Sequence, residues 1–203
     1  MASKIKKSTK PAGKSTAVKA TAAKPAAVAK QKPAAAAPKK PAAGKGARVE
    51  LTGMKAPAFT LPDQDGNPVT LASLTARGNV VLYFYPKDMT PGCTVEACSF
   101  RDNLGELRAL GAQVVGVSAD SGGSHQKFIA KQSLNFPLLS DPGNVVTKAY
   151  GVYKMKSLYG REFMGIERTT FIIGRDGVVK RIFAKVKVNG HTDEVLAALK
   201  QLG

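Results

Sequence analysis

Residues 79–86 read "NVVLYFYP", an unbroken apolar run of β-branched and aromatic side chains. A run of that kind suits a central strand covered on both faces, and Pro86 stops it. Downstream the rhythm changes. Val95, Phe100, Leu104, Leu107 and Leu110 recur at roughly helical spacing, so the pattern predicts one helix from about residue 93 to 110, ended by Gly111. "AQVVGVSAD" is a second buried strand, "SHQKFIAKQS" a helix, "FPLLSD" a short strand, and "PGNVVTKAYGV" a helix closed by Gly151. Before the first long strand, "AFTL" and "PVTL" flank Asp65-Gly66 as a hairpin. "TTFIIGRDGVVKRIFA" folds as two strands around Asp176-Gly177, and "HTDEVLAALKQL" is a final helix with Thr192 as its expected N-cap. Strands alternating with helices, then a hairpin and a helix, predict an α/β domain with a mixed central sheet. No internal repeat is present, which excludes solenoids and propellers.

Composition divides the chain of 203 residues in two. Residues 1–48 carry 13 Lys or Arg and no acid, so of the total charge of +17 only +4 belongs to residues 49–203. That first segment has one isoleucine, two valines, no leucine and no aromatic, and prolines interrupt its alanines. It cannot bury enough surface to offset chain entropy and is expected to be disordered. Its Lys/Ala/Pro alternation, as in "KPAAAAPKKPAAGK", resembles linker-histone tails. Spread lysines of this kind neutralise phosphates without reading bases. Two readings stand side by side: a non-specific DNA tether, and a solubilising appendage. A transit peptide fits less well, because such segments are Arg-rich. Residues 49–203 are expected to form one folded domain. No stretch approaches the ~18 apolar residues of a membrane span, and no secretory apolar run of ~7–15 residues stands at the N-terminus. The expected setting is a reducing, cytoplasmic one, with association to the nucleoid (or nucleus) through the tail.

In such a setting a cysteine pair is catalytic or metal-binding rather than a staple. The chain's two cysteines, Cys93 and Cys98, follow the long strand at the start of the expected helix. Open α/β sheets place their sites there. A helix N-terminus also favours thiolate over thiol. Thr90-Pro91-Gly92 puts a hydroxyl, a rigid turn residue and a residue without a side chain just before the first thiol. Five residues of helix rise about 7.5 Å and turn about 500°, leaving the two Cα atoms roughly 8–9 Å apart on nearly opposite faces. A disulfide spans less than about 7 Å. Either the first helical turns unwind to join the cysteines, or Cys98 packs inward as a small hydrophobe. Zinc is disfavoured: His125 and His191, expected at the surface or at helix starts, match no zinc spacing with the thiols. Glu96 and Arg101 are expected to pair with each other and to take no catalytic part. A disulfide reductase is disfavoured by C-x₄-C in place of C-x₂-C.

"YFYPKDMTPGCTVEACSFRD" resembles the active-site segment of the peroxiredoxins, with Pro86, Thr90 and Cys93 on the family's pattern. The second cysteine five residues on resembles the bacterioferritin-comigratory, or Q-type, subfamily, and in "GIERTTFIIGRDG" Arg168 falls on the family's arginine. The likeness covers residues 50–203 and says nothing of the tail. It implies a thioredoxin-like fold and a thiol peroxidase acting on hydrogen peroxide and organic hydroperoxides. Cys93 would be the peroxidatic thiolate, oxidised to a sulfenic acid. Thr90 and Arg168 would hold the reacting oxygens, and Pro86 would shield the sulfenic acid from water. Cys98 would resolve it to an intramolecular disulfide, recycled by thioredoxin or a similar thiol. The resemblance implies no cofactor or metal, and a monomer is expected. The competing class is a nucleic-acid-binding protein carrying a vestigial redox domain.

Overall fold

The computed structural model describes residues 51–158 and 160–202. The basic segment 1–48 lies outside them. The chain enters through a short antiparallel hairpin, β1 (Thr60–Pro62) and β2 (Pro68–Thr70), then one turn of helix, α1 (Leu71–Thr75). Thr70 and Ser73 cap α1 reciprocally through side chain and backbone. The long apolar run becomes β3 (Asn79–Phe84), followed by α2 (Pro91–Asp102), α3 (Leu104–Ala109), β4 (Ala112–Ser118), α4 (Gly122–Gln132), β5 (Leu138–Ser140) and α5 (Val145–Ala149). Then come β6 (Tyr153–Leu158), β7 (Arg161–Ile166), β8 (Thr169–Ile173), β9 (Val179–Ala184) and α6 (His191–Lys200).

Five strands form the central sheet in the order β5-β4-β3-β8-β9. β3, β4 and β5 run parallel, whereas β8 is antiparallel to both β3 and β9. The expected mixed sheet is therefore present. Alternation along β3 explains its unbroken apolarity: Val80, Leu82 and Phe84 enter one core, Val81 and Tyr83 the other. On the first face β3 meets Phe59, Leu61, Leu71, Leu74, Val146 and Tyr150, from the N-terminal hairpin and the α1 and α5 regions. On the second it meets Cys93, Ala97 and Phe100 of α2, Leu104 and Leu107 of α3, Phe128 of α4, and Val195 and Leu199 of α6. Each fully buried large side chain there contributes about 1.5–3 kcal/mol relative to exposure. Packing over the strand is close: a Cβ added to Gly116 of β4 would lie 2.8 Å from the Tyr83 hydroxyl and 2.7 Å from Leu138 Cδ2.

Four local expectations are corrected. The single helix over 93–110 is two helices, interrupted at Asn103 (φ −98°, ψ 7°). There the Asn103 side-chain amide donates to the Ser99 carbonyl at 2.8 Å, sharing it with the Asn103 backbone N–H at 3.2 Å. Val95, counted among the apolar positions, is exposed. Thr192 is the second residue of α6 and not its cap: Gly190, at φ 77°, takes that position, while the Thr192 hydroxyl meets Ser99 Oγ at 2.7 Å. His125 and His191 are near helix starts as expected, but both are fully buried rather than on the surface. The antiparallel β6–β7 hairpin was not anticipated. Its strands carry few buried positions, so no periodicity of two separates them from loop.

Candidate active site

β3 ends at Phe84, and its partner register decides what gathers beyond it. Phe84 faces Thr169 across the β3–β8 ladder, so Arg168, one residue before β8 begins, is delivered to the carboxyl end of β3. Residues 86–90 turn from there into α2. Thr90 is the N-cap by backbone (φ −78°, ψ 150°) and Pro91 opens the helix, where its missing N–H costs nothing. Cys93 is the third helical residue. Its unpaired-amide surroundings carry the positive end of the helix dipole.

The thiol is 1% exposed, and Arg168 Nη2 donates to its sulfur at 3.1 Å. Arg168 Nη1 pairs with Glu96 Oε2. One guanidinium thus bridges a thiol and a carboxyl on the same helix, three residues apart. Glu96 is 1% exposed, and its Oε1 has no hydrogen-bond partner among the described residues. Burial pushes the Glu96 carboxyl up to about 7 despite the pull of the Arg168 charge. The strain of the pair falls on the carboxylate because it is the more deeply buried partner. Arg168 remains charged: burial opposes its charge, but Glu96 and Cys93 together raise its pKa further. The expected Glu96–Arg101 pair does not form. Arg101 reaches outward to Asp102 at 2.7 Å and donates to the Gln132 carbonyl at 2.5 Å.

Of the other expected site residues, Thr90 is half-buried and its hydroxyl donates to the Lys87 carbonyl at 3.1 Å. Pro86 is exposed at the end of β3. Cys98 is half-buried on the same unbroken helix as Cys93, both cysteines are free, and the Cys98 sulfur donates to Gln132 Oε1 at 3.6 Å. The structure therefore brings Cys93 and Arg168 into contact and leaves Cys98 apart from them.

A second set of residues, unread in the sequence, fixes the 86–90 turn. Asp88 is buried, accepting from the Tyr85 hydroxyl at 2.7 Å and from His125 Nδ1 at 2.9 Å. Its backbone N–H donates to Asp120 at 2.9 Å. Burial alone would raise the Asp88 carboxyl, but hydrogen bonds from His125, Ser124 and Tyr85 outweigh it and hold the group below the usual carboxylate range. The next residue, Met89, is held at φ 56°, a left-handed conformation that a side chain disfavours. An acid beside a proline turn was the available signal for Asp88; no local pattern could have supplied His125, 37 residues away. His191 is engaged elsewhere, its Nε2 lying 2.8 Å from the Thr170 hydroxyl.

A buried thiol at a helix start after a central strand, held by an arginine just before a neighbouring antiparallel strand, defines a thioredoxin-like, thiol-based oxidoreductase. Residues 52–182 match the AhpC/TSA family. Peroxiredoxin Bcp of Escherichia coli K12 is 45% identical over 146 residues, covering 72% of this chain and 93% of that protein. Peroxiredoxin Bcp of Bacillus subtilis is 45% identical over 150 residues, 74% and 95% respectively. Among solved structures, the bacterioferritin comigratory protein of Xanthomonas campestris superposes with a TM-score of 0.67 at 45% identity, covering 71% of this chain and 91% of that one. Peroxidoxin BcpB of Mycobacterium tuberculosis gives 0.68 at 40% identity, covering 75% and 98%. The chain belongs to the AhpC/TSA family and resembles its bacterioferritin-comigratory, Q-type members. It is a thiol peroxidase, with a peroxide as substrate and a thiol as reductant.

The Glu96 environment generates a pH prediction. A carboxyl whose folded pKa is raised binds its proton more tightly folded than unfolded, so its effect on stability worsens as pH rises from about 4.5 to about 7 and is constant above. Glu96→Gln removes that titration. Relative to wild type, the variant should gain roughly 2–3 kcal/mol between pH 4.5 and pH 8. Denaturant unfolding of both proteins across that range measures it; parallel curves would contradict the assignment.

Proposed function

We propose that Cys93 is the peroxidatic cysteine and Cys98 the resolving one, in a peroxidase that takes hydrogen peroxide and organic hydroperoxides. The contact from Arg168 Nη2 to the Cys93 sulfur at 3.1 Å carries this reading. A guanidinium at that distance, with the positive end of the helix dipole at the sulfur, sets positive charge where the reacting oxygens will sit. The Cys93 thiolate attacks the terminal peroxide oxygen, and the O–O bond breaks. The sulfur is oxidised to sulfenic acid, and the departing alkoxide or hydroxide takes a proton to leave as alcohol or water. Arg168 stabilises the negative charge that develops on the oxygens. The Thr90 hydroxyl, donating to Lys87, keeps its lone pairs to receive the peroxide O–H. Pro86, at the end of β3, limits water at the sulfenic acid. The near-complete burial of Cys93 favours small or slender hydroperoxides over bulky disulfides as the oxidant. Alkyl peroxide reduction is the activity described for the Xanthomonas protein, in keeping with this choice.

Resolution follows. The Cys98 thiolate attacks the Cys93 sulfenic sulfur, the S–S bond forms and hydroxide leaves, taking a proton to become water. Both cysteines lie on one continuous helix, beyond bonding reach, so α2 must unwind for this step. A thioredoxin-type dithiol then reduces the disulfide by exchange. With both cysteines in one chain, a monomer suffices for the whole cycle. An ordered site that pairs Cys93, Arg168 and Glu96 argues against a vestigial redox domain.

Substituting each group separates the steps. Cys93→Ser should abolish peroxide turnover, whereas Cys98→Ser should consume one equivalent rapidly and then accumulate sulfenic acid detectable by mass. Undiminished multiple turnovers in the Cys98 variant would remove it from the resolving role. Arg168→Met should slow Cys93 oxidation by about a hundredfold or more, the effect of losing one oxyanion contact, and disulfide reduction far less. A change under about threefold in oxidation would refute the arginine's role.

The tail is proposed as a non-specific DNA tether that keeps the peroxidase near oxidisable DNA in the cytoplasm, or in the nucleus of a eukaryote. Its charge supports this: 13 basic residues and no acid in residues 1–48. If about six lysines engage phosphates, log K should fall with log salt at a slope of roughly −5. A salt titration on two unrelated duplexes, with the full chain and with a chain beginning at Val49, measures it. Equal affinities for both proteins would reduce the tail to a solubilising appendage.

A further inference from the structure

The half of α2 that carries Cys98 is held by Phe100 in the core, by Ser99 against Thr192 of α6 at 2.7 Å, and at the end of α4. Gln132 is the last residue of that helix, with Ser133 turning away in a left-handed conformation (φ 51°). Its side chain accepts from the Cys98 thiol at 3.6 Å. Its main-chain carbonyl, one of the α4 carbonyls left without an intrahelical partner, accepts from Arg101 Nη1 at 2.5 Å. The guanidinium at this helix C-terminus also meets the negative end of the α4 dipole. One residue therefore holds α2 twice, at positions 98 and 101. Neither contact touches Cys93, Arg168 or Glu96, which are joined to one another on the other face of the helix.

We propose that Gln132, with Arg101, is a clamp on the resolving cysteine: it positions Cys98 away from Cys93 and sets the rate of disulfide formation without affecting the reaction with peroxide. The inference rests on Cys98 being the resolving thiol. Before Cys98 reaches the Cys93 sulfenic acid, its S–H must leave Gln132 Oε1, and the α2 turn carrying it must come away from the α4 end. The bond to Gln132 is made by the thiol and is lost in the thiolate that attacks, so the clamp opposes both the movement and the chemistry.

Slow opening has a chemical consequence. While Cys98 is held, the sulfenate on Cys93 remains open to a second peroxide. That reaction breaks another O–O bond, adds an oxygen to the sulfur to give sulfinate, and releases water or alcohol. Resolution competes with it by expelling hydroxide and forming the disulfide. The strength of the clamp thus sets the peroxide concentration at which the enzyme is over-oxidised.

The test uses the full chain, reduced and mixed with peroxide in a quenched-flow instrument. Thiol alkylation, dimedone trapping and intact mass then read sulfenic acid, disulfide and sulfinic acid against time. Gln132→Ala should form the disulfide roughly twofold to tenfold faster than wild type, the span expected for loss of one hydrogen bond, with the sulfenic acid forming at a rate within about twofold of wild type. Its over-oxidised fraction at high peroxide should fall correspondingly. Gln132→Glu keeps an acceptor opposite Cys98 and should resolve no faster than wild type. Disulfide formation in Gln132→Ala at or below the wild-type rate overturns the clamp, as does a parallel slowing of the peroxide step. A clamp that fails alone leaves the wild-type disulfide forming normally. Absence of any intramolecular disulfide in the wild-type protein overturns the resolving role of Cys98 and the clamp with it.

Discussion

Everything in this site depends on one guanidinium shared between a sulfur and a carboxyl. Arg168 reaches Cys93 through Nη2 and Glu96 through Nη1, in a setting where neither partner is more than 1% exposed. An isolated thiolate in such a place would be desolvated without compensation. Glu96 supplies rigidity to the arginine, but when ionised it also draws on the same positive charge. Its carboxyl, pushed up to about 7 by burial, changes state near neutral pH. Protonated, Glu96 still offers an oxygen that orients the guanidinium, and it leaves the positive charge to the sulfur. Burial is what raises the Glu96 carboxyl, and its second oxygen has no hydrogen-bond partner among the described residues.

The fold converts that requirement into strand order. Arg168 and Cys93 are separated by 75 positions, yet β3 and β8 are antiparallel neighbours, so the residue before β8 begins lies where β3 ends. An added strand between them would separate the pair by about 5 Å. The buried Tyr85–Asp88–His125 set then fixes the turn, so that Met89 remains left-handed and Thr90 presents the helix start. These buried polar groups bond to one another, with only His125 Nε2 of the set left without a partner among the described residues. They hold the turn rigidly, and the turn sets where the third residue of α2 points.

Sequence reasoning read what is repeated or locally marked. The apolar run of β3 declared its own burial on two faces, and Pro86, Thr90 and Cys93 form a local pattern beside it. Arg168 was found through resemblance alone, because a lone arginine before a strand has no periodicity to distinguish it. Glu96 was misread. Five residues of helix put it and Arg101 on nearly opposite faces, and packing turns residue 96 inward and residue 101 toward α4. The β6–β7 hairpin escaped because its alternating Lys, Met and Ser bury little on either face. Asn103 escaped because an asparagine inside an amphipathic pattern interrupts a helix only where its side chain captures a backbone carbonyl, as it does that of Ser99.

That interruption bears on how the protein combines an ordered site with a helix that has to open. An intact α2 aims its N-terminus and Glu96 at Arg168, and the proposed resolution step requires its first turns to come apart so that Cys98 reaches Cys93. A single helix running on to residue 109 would resist opening, since unwinding would propagate against Leu104 and Leu107 in the core. The break at Asn103 makes α3 a separate element with its own buried leucines. The part that opens is then bounded by Pro91 at one end and Asn103 at the other. Within it Val95 is exposed and only Cys93, Glu96, Ala97 and Phe100 are buried. Two of those four are the proposed peroxidatic thiol and the carboxyl that shares its arginine. In the proposed cycle, conversion of Cys93 to a sulfenic acid leaves less negative charge on the sulfur to hold Arg168. Chemistry at the sulfur thereby weakens one of the contacts holding the helix closed, and the first step of the cycle favours the second.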